Sequence, residues 1–165
     1  FGAEIPPQLK VSLLSNIASF LTMDGNFDSA LKYNNKLLDE SGLNFKSDVY
    51  LFGKLLNLVI HYGLKNISLL EYSVDNVYKF FRDKNVMHKA ESILLNHFKR
   101  LLKTSPGEHK ELFNELYFNL TRLPGDSSTQ NLFAMFDFIS WAKAGAHKLS
   151  MAEVVKTANS EKKLQ

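Results

Sequence analysis

An all-α chain of stacked helical hairpins is the fold class this sequence predicts. Three observations predict it. Apolar residues recur with the 3.6-residue period of a helix. Helix-start signals recur between those runs. Matching positions of successive helix pairs are separated by about 40 residues. No alternating apolar–polar run bounded by hairpin turns argues for a strand.

The elements follow in order. Pro6-Pro7 precede an apolar-periodic run from Leu9 to Leu21, and proline suits a first helical turn. Asp24-Gly25-Asn26 makes a turn, and Asn26 caps a second helix through about Asp39 with Phe27, Ala30, Leu31, Leu37 and Leu38 as its apolar positions. Ser41-Gly42 ends it. Ser47 or Asp48 opens a third helix ending near Tyr62-Gly63, and Asn66, or Ser68 with Glu71 in capping-box spacing, opens a fourth. Ser105-Pro106-Gly107-Glu108 is a capping box with proline at the first helical position, and Ser127 with Gln130 and Ser150 with Glu153 repeat the spacing. Pro124-Gly125-Asp126 separates the sixth and seventh helices. The seventh is apolar almost all round, which predicts burial beneath a capping eighth helix, Met151 to Ala158. The domain spans 1–158, and residues 159–165 are a polar, flexible tail.

Spacing gives the organisation. Asn16, Asn57, Asn96 and Asp137 fall at steps of 41, 39 and 41 in the first helix of each hairpin. Leu55-Leu56-Asn57 matches Leu94-Leu95-Asn96, with Met135-Phe136-Asp137 in the same register. The second helices repeat as well, since Asn26-Phe27-Asp28 lies 40 residues before Asn66-Ile67-Ser68. A unit of two helices cannot bury its apolar face alone and must stack. The expectation is an α-α superhelix of about four antiparallel hairpins, right-handed, with a concave and a convex side.

Gly25-Asn26-Phe27-Asp28-Ser29-Ala30-Leu31-Lys32-Tyr33 resembles the start of the second helix of a tetratricopeptide (TPR) repeat. The period is nearer 40 than the 34 of that family, so the chain is TPR-like rather than regular. Leu55 to Tyr62, Leu70-Glu71-Tyr72 and Phe136 to Trp141 are similar to C-terminal regions of uncharacterised bacterial TPR-like proteins. The resemblance implies a helical-repeat fold and a bacterial source, and no chemistry. The clamp by which some TPR domains hold a partner's terminal carboxylate is not reproduced: Ser12 stands four residues before Asn16, and Lys89 and Ile93 stand where a basic pair is needed.

Composition narrows the rest. The chain is 45% apolar and 22% charged, ordinary for a globular domain. Without cysteine there is no disulfide, thiolate nucleophile or cysteine-ligated metal. Histidines 61, 88, 97, 109 and 147 form no metal-binding pair, and no phosphate loop, nucleophile elbow or dinucleotide fingerprint occurs. We therefore expect no metal, no cofactor and no enzyme. No run approaches the ~20 apolar residues of a membrane span. The start, Phe1-Gly2-Ala3-Glu4, lacks a methionine and a signal-peptide layout, as in a piece of a longer, cytoplasmic polypeptide. Asn66-Ile-Ser68 and Asn119-Leu-Thr121 match the glycosylation tripeptide by chance.

The candidate partner-binding surface is a polar ladder on the first helices. Tyr50, Lys54, Asn57 and His61 fall at steps of 4, 3 and 4, on one helical face. Lys89, Asn96 and Arg100 follow on the next first helix, then Asp137 and Trp141. Lining a concave groove, these would bind a peptide, with amides on its backbone and His61, Arg100 and Trp141 setting selectivity. Alternatively, Asn57 and Asn96 bond neighbouring helices and fix the stacking register. The aromatic residues Tyr72, Tyr78, Phe80, Phe81, Phe113, Tyr117, Phe118, Phe133, Phe136, Phe138 and Trp141 keep helical spacing and read as inter-helix core rather than a ligand pocket.

The leading expectation is a non-enzymatic scaffold binding a protein or peptide partner. Nucleic-acid binding is an alternative, motivated by a pI near 9.0 and by Lys54, Lys89, Lys99, Arg100 and Lys103. A structural or homodimer arm is a third.

Overall fold

The computed structural model describes residues 5–40, 42–44 and 46–163, with side chains described to residue 160. The described residues form nine α-helices and no strand. They are α1 (Pro7–Met23), α2 (Phe27–Leu38), α3 (Asp48–Gly63), α4 (Ile67–Asp83), α5 (Lys89–Leu101), α6 (His109–Thr121), α7 (Ser127–Met135), α8 (Phe138–His147) and α9 (Met151–Lys163). No helix among them is long and apolar enough to cross a membrane.

One step of the expected 40-residue spacing is visible in the turns. After α1, the N–H groups of Asp24, Gly25 and Asn26 bond the carbonyls of Phe20, Thr22 and Leu21. Forty residues on, Leu64, Lys65 and Asn66 bond Ile60, Tyr62 and His61 in the same pattern. Both turns need a left-handed residue, Gly25 at φ +79° in the first and Lys65 at φ +57° in the second. The third repeats the pattern after α4 with Asn85 at φ +53°.

Caps follow the sequence with three differences. Asn26 and Ser47 accept from Ser29 and Tyr50 N–H groups at 3.3 Å each, and both the Ser105–Glu108 and Ser150–Glu153 boxes form. The Ser127–Gln130 box does not: Asp126, one residue earlier, takes the Thr129 N–H at 2.8 Å, and Gln130 bonds the Gly125 carbonyl instead. Asp126 takes the cap because its backbone is extended there and its carboxylate reaches the third N–H of the helix. Ser68 lies inside α4, so no Ser68–Glu71 box starts that helix, and Asn66, which stands at its N-cap, makes no side-chain capping bond. Of the Ser41-Gly42 stop, Ser41 lies outside the described residues and Gly42 takes φ +97°. The polar end beyond Ala158 continues as α9 to Lys163, and residues 164–165 lie outside the described ones.

The largest departure is the expected seventh helix, which is two helices. Phe136 is extended (φ −156°, ψ 137°), and Asp137 caps α8 by accepting the Ser140 N–H at 2.8 Å. In a continuous helix Phe136 and Phe138 would lie on nearly opposite faces. The break lets both enter the core, where their rings meet edge-on with centroids 4.9 Å apart. It also sends the two pieces to different neighbours. α7 packs on α3 and α1, where Ser19 Oγ donates to the Met135 carbonyl at 2.9 Å. α8 packs on α6, and α9 covers α8 with buried Met151 and Val154.

The hairpins α1/α2, α3/α4 and α5/α6 are in contact within and between themselves, and α3 touches α1, α2, α4, α5 and α7. Accordingly α3 is the most buried helix, with Leu51, Phe52, Leu55, Leu56, Leu58, Val59 and Ile60 in the core. Asn34 of α2, fully buried, donates to the Gly53 carbonyl of α3 at 3.0 Å. At the other end of this pair the Phe27 ring lies against Gly63, where a Cβ would meet it at 2.5 Å. Those two contacts, one at each end, run α2 antiparallel to α3.

Gly63→Ala should therefore destabilise the fold by about 2 kcal/mol, the usual scale of overpacking a core. Lys65→Gly should stabilise it by about 0.5 kcal/mol, since relief of the left-handed strain outweighs glycine's entropy. Urea unfolding of the two variants against the wild type checks both signs.

Candidate functional site

The nine ladder residues do not share one surface. Tyr50 is buried on α3 with its ring 5.8 Å from that of Phe80, and Lys54 lies over both rings at 5.2 and 5.7 Å. Asn57 is half-buried, and His61 is buried with Nδ1 lacking a partner; burial pushes its pKa down. Lys89 is exposed in the first turn of α5. Asn96 and Arg100 line a cleft of about 400 Å³ between α5 and α6, bridged by an Arg100–Glu115 ion pair. Asp137 is engaged as the α8 cap, and Trp141 is buried in another cluster. Among the described residues the side chains of Asn57 and Asn96 have no hydrogen-bond partner, so the buried amide that ties two helices is Asn34, not the ladder.

The cations proposed for nucleic acid are also partly engaged. Lys54 is over aromatic rings, Lys99 Nζ sits 3.3 Å from the Tyr78 ring centroid, and Arg100 is paired. The aromatic residues divide. Phe81, Phe113, Phe136, Phe138 and Trp141 are buried as expected, whereas Tyr72, Tyr117 and Phe118 are exposed. Helical spacing places residues on a face but does not say which face turns inward.

Trp141 of α8 gathers four helices. Its ring stacks on Phe98 of α5 (5.5 Å) and meets Phe113 of α6 (5.1 Å), His97 of α5 (5.9 Å) and Tyr62 of α3 (6.3 Å) edge-on. Gly145, one turn along α8, admits the Phe113 ring, which a Cβ would meet at 2.4 Å. Beside this cluster is a cleft of about 500 Å³, where the ends of α1, α3 and α8 converge on the start of α6. At its wall the Tyr62 hydroxyl lies 3.1 Å from His109 Nδ1, and His109 Nε2 donates to the carbonyls of Leu101 and Thr104 at 3.1 and 3.3 Å. Carbonyls only accept, so Nε2 carries a hydrogen, and Nδ1 is the ring atom that pairs with the phenol. Burial raises the Tyr62 pKa, which keeps the phenol protonated.

Two titratable groups missed from the sequence lie on the apolar face of α5. Glu91 and His97 are buried among Leu94, Leu95, Phe98 and Leu101. Their signal was present, as polar residues at the i, i+3, i+4 positions of an apolar stripe. Burial raises the Glu91 pKa, and Oε2 has no partner. Burial, then the Arg100 charge, lowers His97 to about 3, and its Nε2 also lacks a partner.

A third surface was not anticipated. Helix α1 buries Leu14, Ser15, Ala18, Ser19 and Thr22, mostly small residues, against the body. Its outward face carries Leu9, Leu13, Ile17 and Phe20, preceded by Ile5, with exposures from 37% at Ile17 to 70% at Phe20. Steps of four and three place them in one stripe about 20 Å long. The stripe runs into a shallow groove of about 240 Å³ lined by Phe20, Met23, Met151, Ala152 and Val155. Lys10 at its edge is neutralised by Glu40 at 2.8 Å.

The pKa of His97 sets an acid limit on the fold. The folded form is neutral down to about pH 3, while the unfolded chain takes its proton near 6.5. Stability from this group is complete above pH 6.5 and is lost as pH falls through that window, at up to ~1.4 kcal/mol per unit. His61 acts in the same sense; Glu91, raised by burial, opposes them as pH rises. Between pH 7 and pH 5, wild type should lose about 1–2 kcal/mol more than His97→Leu in urea unfolding. Comparison with known proteins finds no matching family model, no matching curated protein and no matching solved structure.

Proposed function

We propose that this chain is a non-enzymatic protein–protein interaction module of TPR-like helical hairpins, and that it takes an amphipathic helix of a partner protein on the outward face of α1. One observation carries the reading: α1 turns its small residues inward and its large apolar residues outward. Large apolar residues on an exposed helix face mark an interaction surface. The turn geometry recurring at 40 residues supports the repeat architecture, with the last unit folded back so that α7 meets α1 and α3.

The stripe's form suits the apolar face of a partner helix. Its five side chains expose on the order of 400 Å², typical of a functional patch. Ridges at steps of four fit the grooves of another helix, and a stripe with its edge lysine already paired offers little to a polyanion.

A displayed library of amphipathic helical peptides, selected on the immobilised domain, tests this. Binders should be recovered, and Leu13→Asp or Phe20→Asp should weaken them at least tenfold while Tyr72→Asp, equally exposed and elsewhere, should not. Binders that ignore both α1 substitutions would overturn the reading. So would a dimer in sedimentation that Leu13→Asp dissolves, which would assign the face to a second copy.

A further inference from the structure

The cleft beside Trp141 has features that the α1 stripe lacks. Phe27, Tyr62, Phe113 and Trp141 line it together with aliphatic residues such as Val59 and Met151. At about 500 Å³ it lies within the ~300–1,000 Å³ range of small-molecule sites. Two glycines, Gly63 and Gly145, seat the Phe27 and Phe113 rings that form its sides, and neither tolerates a Cβ without displacing a ring. The walls are therefore set by close backbone–ring contacts within the core, not by mobile surface side chains.

Charge at the cleft is one-sided. Lys110 at the start of α6 and Lys148 after α8 line it together with His109, and no lining residue is acidic. Among the described residues neither lysine makes an ion pair. Lys148 is held in the left-handed region (φ +55°) at the α8 C-cap. The neighbouring Leu149 N–H is bonded to the Ala144 carbonyl, which fixes that turn against the cleft.

The geometry points to a binding site for a small aromatic carboxylate, its ring among Phe113, Trp141 and Tyr62 and its carboxylate between Lys110 and Lys148. An apolar body buried against the cleft lining supplies the affinity, and two unpaired ammonium groups select the anion. An uncharged ligand of the same shape would gain the first contribution and forgo the second.

Trp141 is the only tryptophan in the chain, so its fluorescence reports on this cleft alone. The probe is 3-phenylpropionate, which does not absorb at the wavelength used to excite indole, with 3-phenylpropanamide as its neutral counterpart. The carboxylate should change Trp141 emission saturably, and the amide should bind at least fivefold more weakly. Lys110→Gln with Lys148→Gln, both exposed positions, should abolish that preference without altering the melting curve. Leu13→Asp should leave the titration unchanged, which separates this site from the α1 surface. No saturable response, equal affinity for acid and amide, or a preference surviving the double lysine variant would each overturn the assignment.

Discussion

Trp141 ties α8 to α3, α5 and α6 at a single indole. Its indole touches rings from α3, α5 and α6 at once, and those contacts are possible only if α8 lies flat on α6. Gly145 permits that approach, because any side chain there would collide with Phe113. The Phe136–Asp137 break is what frees α8 to make it, while α7 is released toward α3 and α1. A single unbroken helix could not serve both neighbours. The aromatic cluster thus closes the body on the α5–α8 side and, through α7, seals the inner face of α1. Aromatic pairs of this kind contribute about 0.5–1.5 kcal/mol each beyond their buried area, so four of them on one indole are a large share of a typical domain's net stability.

The same closure leaves α1 at an edge with its apolar side outward. On the inner side, Ser15, Ala18 and Ser19 allow close helix approach, and Ser19 adds a hydrogen bond to the Met135 carbonyl. On the outer side, on the order of 400 Å² from this chain and a similar area from a partner would yield roughly 20 kcal/mol gross at ~25 cal/mol per Å². Association costs of about 4–15 kcal/mol leave enough for a specific but modest complex. The acid sensitivity expected from His97 and His61 belongs to the body of the fold, not to this surface, since both rings are buried on α5 and α3.

Much of the fold was legible in the sequence, for local reasons. The Asp24-Gly25-Asn26 and Leu64-Lys65-Asn66 turns, the Ser47 and Asn26 caps and the Ser105 and Ser150 boxes are decided within a few residues, and they form as their chemistry dictates. The break at Asp137 was hidden because the run from Leu132 to Trp141 is apolar except at Asp137 and Ser140, which leaves too little polar face for periodicity to mark an interruption. The ladder failed to converge because equal spacing along first helices does not fix how those helices rotate about their axes. Asn57 and Asn96 came out on accessible faces, while Asn34, on the α2 face that carries Ala30 and Leu37, became the buried tie to α3. The α1 stripe is visible in the sequence as an apolar-periodic run; only the tertiary contacts reveal that its large residues face outward while Ser15, Ala18 and Ser19 face the body.

The division of labour between the Trp141 cluster and the α1 face is tested most directly by unfolding two variants side by side. Leu9→Gln, Leu13→Gln and Ile17→Gln combined in one chain should keep the wild-type unfolding midpoint closely, as exposed substitutions do. Trp141→Ala should lose about 3–5 kcal/mol. If the triple α1 variant unfolds as readily as Trp141→Ala, the outward face of α1 is packed within the fold itself, and the account is wrong.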